Sequence, residues 1–121
     1  MATIARITED AATILGILGE GETLPSYENN DIQNGYYEVY AQLQQLGLST
    51  WSLTDEIPTQ YAGPVAALTA DQRAINYQLP QEKYERVKME GWGANMDGLA
   101  IKRMRALQTS SKQDVTRIEN F

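Results

Sequence analysis

The sequence predicts an all-α fold: a small bundle of about four helices over residues 1–107, followed by an extended C-terminal arm at 108–121. Three observations carry that expectation. Four stretches space their apolar residues at alternating steps of three and four, the one-sided stripe of an amphipathic helix. Glycine and proline fall between the stretches, where helices stop and start. Beyond Leu107 the stripe dissolves into the polar run Thr109-Ser110-Ser111-Lys112-Gln113-Asp114. At 121 residues, 42% apolar and 21% charged, the chain has the length of one domain and the composition of one that folds.

Helix 1 is expected at about residues 3 to 18, with Ile4, Ile7, Ala11, Ile14 and Leu18 on one face and Arg6, Glu9, Asp10 and Thr13 on the other. Gly19-Glu20-Gly21 supplies its stop. Helix 2 carries Ile32, Tyr36, Val39, Leu43 and Leu46 and ends at Gly47. Ser26 suits its cap, while Glu28 and Asp31 suit the positive end of its dipole. Gly35 inside it costs roughly 1 kcal/mol against alanine, so it marks a close contact. Tyr37 and Tyr40 flank the stripe, either as amphipathic cover over the core edge or as part of a subunit interface, where tyrosine is enriched.

Leu48 to Pro58 forms a connector anchored by Trp51 and Leu53, Trp51 serving as a lid on the core. Helix 3 follows with Tyr61, Val65, Leu68, Ile75 and Leu79. Gly63-Pro64 interrupts its start, so regular helix is expected from Pro64 to about Gln78. The last long segment, Gln81 to Leu107, reads as helix 4. Tyr84, Val87, Gly91, Ala94, Gly98 and Ile101 form one stripe, and Trp92, Met96 and Leu99 an adjacent one. Its three glycines cost roughly 3 kcal/mol together, so a close helix contact or a break near Gly91-Trp92-Gly93 has to offset them. In the arm, Val115, Ile118 and Phe121 recur three apart around Arg117, a segment suited to ordering on a partner with its apolar side chains in pockets.

Composition removes much chemistry. The chain has no His and no Cys, which eliminates imidazole acid-base catalysis, thiol nucleophiles, disulfides and the usual zinc ligands. Its serines therefore lack an imidazole to activate them, and no nucleophile-elbow sequence surrounds them. Gly16, Gly19 and Gly21 follow a helix rather than a strand and lack the lysine of a phosphate loop. Glu20 and Glu22 do not alternate as the oxygen ligands of a calcium loop do. No catalytic residue, cofactor or metal is expected; carboxylate-only chemistry is what composition leaves open. The first residues lack the pattern of a signal peptide and no stretch approaches a membrane span, so synthesis in the cytoplasm is expected, with no membrane partner.

Charge is uneven. Residues 1–60 hold one base and nine acids, residues 61–121 nine bases and seven acids, and the whole chain is net −6. Tight non-specific binding to nucleic acid needs clustered, unopposed cations and is not expected. Lys102, Arg103 and Arg105 form the one basic cluster, read either as a solvent face favoured by a helix C-terminus or as a contact for an acidic surface or passing DNA.

The order of these elements resembles the head-to-tail adaptor proteins of tailed bacteriophages, the helical head-completion subunits below the portal. The stretch from Ile7-Thr8-Glu9-Asp10-Ala11-Ala12 to Gly21-Glu22 looks like the family's first helix and its Leu-Gly-rich end. Pro25-Ser26-Tyr27-Glu28 to Leu46-Gly47 looks like the second helix, Trp51-Ser52-Leu53 like the tryptophan-bearing connector, and Ile57-Pro58-Thr59-Gln60-Tyr61 to Tyr77 like the alanine-rich third helix. The similarity is one of pattern and spans nearly the whole chain; Gly91-Trp92-Gly93 departs from it. The resemblance implies a non-enzymatic virion protein of the head-tail neck. It would form a homo-oligomeric, dodecameric ring under the portal protein, continue the channel for packaged double-stranded DNA without gripping it, and dock a tail protein. It also implies an arm that reaches the portal through Val115, Arg117, Ile118 and Phe121. Tyr37, Tyr40, Lys102, Arg103 and Arg105 are the candidate subunit-interface residues. The alternative is a cytosolic helical binding module whose arm orders on a client.

Overall fold

Local signals in the chain start and stop four helices, and a fifth follows a sharp turn. The computed structural model describes residues 1–19, 21–54 and 56–108. The helices are α1 Ile4–Leu15, α2 Ser26–Gln45, α3 Thr59–Arg73 and α4 Gln81–Glu90, then α5 over 99–108. The described residues contain no strand, only one isolated antiparallel bridge in which Ala2 and Ile57 exchange N–H···O bonds of 2.8 and 2.7 Å. The expected all-α bundle is therefore present. None of the described helices is long and apolar enough to cross a membrane.

Helix α1 starts where the Thr3 hydroxyl accepts the Arg6 amide at 3.1 Å, satisfying one of the first-turn donors. It ends three residues before the expected stop, because Gly16 takes the left-handed conformation at φ 81° and turns the chain out of the helix. Leu18 thus lies outside α1, though still half-buried. In α2 the predicted stripe is buried from Ile32 through Tyr36 and Val39 to Leu43. Two details differ. Pro25 occupies the cap position and Ser26 is already helical, with no capping bond from its side chain. Leu46 falls beyond the last helical residue and is exposed.

The connector is anchored by Trp51 and Ile57, both buried, whereas Leu53 is exposed, contrary to its expected role. Helix α3 begins at Thr59 and runs straight through Gly63-Pro64. The expected delay to Pro64 does not occur: Pro64 sits inside α3 as its sixth residue, and the helix tolerates the one i→i−4 bond that its missing amide cannot make. At the other end Arg73 leaves helical geometry (φ −110°, ψ 2°) and Ala74–Asn76 tightens into a 3₁₀ turn. That change of winding rotates Ile75 out of the stripe, so a residue expected in the core is 79% exposed.

Of the two ways left open at Gly91-Trp92-Gly93, the break occurs: the segment 81–107 is two helices. Helix α4 stops at Glu90, residues 91–98 turn, and α5 begins at 99. Because α5 restarts with its own orientation, Ile101 and Met104 are buried while Leu99 is exposed, and Ala94 is exposed in the turn itself, although both had been placed on apolar stripes. Gln108, expected to open the arm, is still helical.

Helices α1, α2 and α3 each pack on the other two, and α4 packs on α3. One core cluster joins Ile7, Tyr36, Leu43, Trp51, Leu68 and Ile101; a second, toward the other end, joins Leu15, Ile32, Ala70 and Val87. Burying each large aliphatic side chain stabilises the fold by roughly 1.5–3 kcal/mol. The two buried threonines, Thr8 and Thr69, return their hydroxyls to the carbonyls four residues back, Ile4 at 2.9 Å and Val65 at 2.8 Å, and so add no unpaired polar group.

Candidate interaction surfaces

The two tyrosines assigned together separate on folding. Tyr40 is buried, and its hydroxyl donates to the Trp51 carbonyl at 2.8 Å. It belongs to the core edge and not to an outer interface, because helical rotation of three residues turns it from Tyr37 onto the connector. Tyr36 completes the clamp by accepting the Trp51 indole N–H at 3.1 Å, while Tyr61 tilts against the same indole with ring centroids 5.3 Å apart. Burial raises the Tyr36 hydroxyl above its ordinary pKa, opposed by the bond from Trp51. Tyr37 stays partly exposed, its hydroxyl accepting from Gln33 Nε2 at 2.9 Å. Trp51 is the lid that the sequence suggested.

A polar seam joins α2 to α3. The Arg73 guanidinium reaches Asp31 at 3.6 Å and Glu38 at 3.1 Å, and its aliphatic stem crosses α2 at Gly35. A Cβ on Gly35 would meet the Arg73 Cγ at 2.6 Å, which is the close contact that this glycine was expected to mark. Tyr77 donates to Asp31 at 2.9 Å. Burial first, then the bond to Asp31 and its charge, push the Tyr77 hydroxyl well above its usual range. This seam fixes two helices together; nothing in it opens toward a ligand.

The turn at 91–98 depends on a second such contact. The Asp71 carboxylate, on α3, accepts the Trp92 amide at 2.8 Å. A Cβ on Gly91 would lie 2.6 Å from the Asp71 Cβ, and Gly93 takes φ 75°, so both glycines are required where the chain reverses. Burial raises the Asp71 pKa, opposed by the Trp92 amide and by nearby Lys88. The chain thereby delivers α5 onto the first core cluster by Ala100, Ile101 and Met104. Its other side is left outward. Lys102, Arg103 and Arg105 are all exposed there, with Leu99 62% exposed beside them. Among the described residues none of the three is paired with a carboxylate.

The described surface includes two depressions. One, of about 360 Å³, lies against the turn, between Lys88 and Met89 of α4 and Ala94 and Asp97 beyond it. The other, of about 410 Å³, runs between the outer face of α1 and the following loop, lined by Arg6, Glu9, Asp10, Thr13, Leu18 and Glu22. Arg6 is paired with Asp10 at 3.2 Å across one helical turn, which leaves the groove net acidic.

The structure thus exposes the basic cluster and Tyr37, and buries Tyr40. Val115, Arg117, Ile118 and Phe121 lie outside the described residues. Among the described residues no cluster of three or more acidic side chains is arranged to hold a metal ion. Asp71 and Arg73 were missed because each acts across more than twenty residues; Gly35 and Gly91, conspicuous inside predicted helices, were the available signals of those contacts. No family model, curated protein or solved structure matches this chain.

Proposed function

We propose that this chain is a structural virion subunit of the head-tail neck of a tailed bacteriophage, an adaptor that forms a ring below the portal, extends the DNA channel and offers an attachment surface for tail parts. The observation that carries the reading is the arrangement at the far end of the bundle. A helix packed on the core presents an unopposed cationic face through Lys102, Arg103 and Arg105, then leads directly into the segment holding Val115, Arg117, Ile118 and Phe121. A body with a charged docking face and an apolar terminal segment suits an assembly part better than a reaction site. The net charge of −6 suits a channel through which DNA slides, since a net-anionic subunit is repelled overall by the phosphates.

The test is reconstitution with a candidate phage portal protein, read by negative-stain electron microscopy. Rings seated on the portal are expected, and their loss is expected on deleting Lys112 to Phe121, with the helical circular dichroism unchanged. Ring assembly that survives the deletion overturns the role of the arm. One-to-one complexes with a cellular client and no rings on the portal would favour a helical binding module instead.

A further inference from the structure

Two surfaces of this chain carry complementary charge. The outer side of α5 carries Leu99 in its first turn and then Lys102, Arg103 and Arg105, all exposed. The α1 groove carries Glu9, Asp10 and Glu22 around Leu18, with only Arg6 as an internal cation. Within one chain no ion pair joins the two sets among the described residues. Each therefore presents a net excess of charge of one sign beside one accessible aliphatic side chain.

We infer that the α1 groove receives the α5 helix of a second copy of this chain, with Leu99 seated beside Thr13 and Leu18 and the three cations facing Glu9, Asp10 and Glu22. Charge and shape select that occupant. Nucleic acid would gain from the cations but nothing from Leu99, the exposed aliphatic residue one helical turn before Lys102 and Arg103, and the acidic groove repels it. A second copy satisfies both: cations meet carboxylates, and the leucine leaves water against an apolar neighbour. The contact is head to tail, so each copy that lends its helix still has its groove open, and repetition closes into a ring or extends as a filament. One helix in one groove buries less than the ~800 Å² per partner of a stable pair, so the isolated contact is weak and gains strength by repetition. The inference stands on these two surfaces alone and does not require the connector reading.

The absence of cysteine from the chain permits a direct test. Leu99→Cys and Thr13→Cys are made in separate full-length chains, mixed at low salt and oxidised with diamide. A mixed disulfide dimer is expected, and the chain carrying both substitutions is expected to give a ladder of higher oligomers. The yield should fall about tenfold when the Leu99→Cys chain also carries Arg103→Glu and Arg105→Glu, and recover when the Thr13→Cys chain carries Glu9→Lys and Glu22→Lys. All these positions are solvent-facing, and circular dichroism checks that each variant is folded. A mixed yield no greater than that from Met89→Cys paired with Thr13→Cys overturns the inference, as does insensitivity to the charge reversals. Failure of rings on a portal, with the trapped ladder intact, would count against the connector reading alone.

Discussion

Replacing Asp71 by alanine tests whether one side chain of α3 holds the turn that separates α4 from α5. The Asp71 carboxylate accepts the Trp92 amide at 2.8 Å in a partly buried setting. A hydrogen bond to a charged group contributes about 1.5–3 kcal/mol, but part of that is offset because burial already disfavours the ionised carboxylate, as its raised pKa shows. Removing it leaves the Trp92 amide without its acceptor and relieves the desolvated charge, so the net loss expected is about 1–2 kcal/mol. In a domain of this size that lowers Tm by roughly 4–8 °C. Asp71→Asn retains an acceptor and should cost less than half as much. Thermal unfolding followed by circular dichroism gives the global loss, and hydrogen exchange at the Trp92 amide gives the local one. An Asp71→Ala variant with unchanged Tm and unchanged protection of the Trp92 amide would refute the reasoning.

The other predictions concern the same contacts. The Asp71 pKa is raised in the folded state, so the folded protein binds the proton more tightly, and this group's contribution to stability increases as pH falls through the region between its unfolded and folded values; wild type should gain stability relative to Asp71→Asn on acidification from neutrality in urea titrations, and a gain in the opposite direction would contradict the assignment. Gly91→Ala drives a Cβ against Asp71 and should cost about 1–3 kcal/mol in urea unfolding. Tyr40→Phe orphans the buried Trp51 carbonyl and should cost about 1–3 kcal/mol, whereas Tyr37→Phe, at the surface, should stay within about 0.5 kcal/mol. Trp92→Phe removes an indole N–H that is buried with no partner among the described residues, so it should cost less than Trp51→Phe, which breaks a bond to Tyr36; denaturant midpoints order the two.

Legibility followed the range of each interaction. The α2 stripe was readable from Ile32 to Leu43 because helical periodicity is a property of neighbours three and four apart, and it failed only at Leu46, past the helix end. Trp51 was readable as a lid because a large aromatic in a short connector has few other places to go. Ile75 was not, since its exposure depends on Arg73 leaving the helix to span Asp31 and Glu38. Leu99 was not either: its stripe assumed a continuous helix, and the turn at Gly91-Trp92-Gly93 gave α5 a new rotation. Of the candidate interface residues, the basic cluster of α5 was found from its clustering alone, while Tyr37 and Tyr40 could be told apart only by what the connector places over them. The acidic groove was invisible as a groove, because Glu9 and Glu22 lie on a helix and a loop that meet only in three dimensions.

By itself the sequence determined that the chain is helical, which residues of α2 face inward, and that imidazole and thiol chemistry are absent, since these follow from periodicity and composition. It also marked Gly35 and Gly91 as places where something must approach, because glycine inside a helix is costly without a reason. Only the tertiary structure decided what approaches: the stem of Arg73 in one case and the carboxylate of Asp71 in the other. With the second contact came the break before α5 and the outward turn of Leu99, Lys102, Arg103 and Arg105. The physical reason is that a helix's spacing is set by bonds four residues long, whereas its direction after a turn is set by a side chain about twenty residues away.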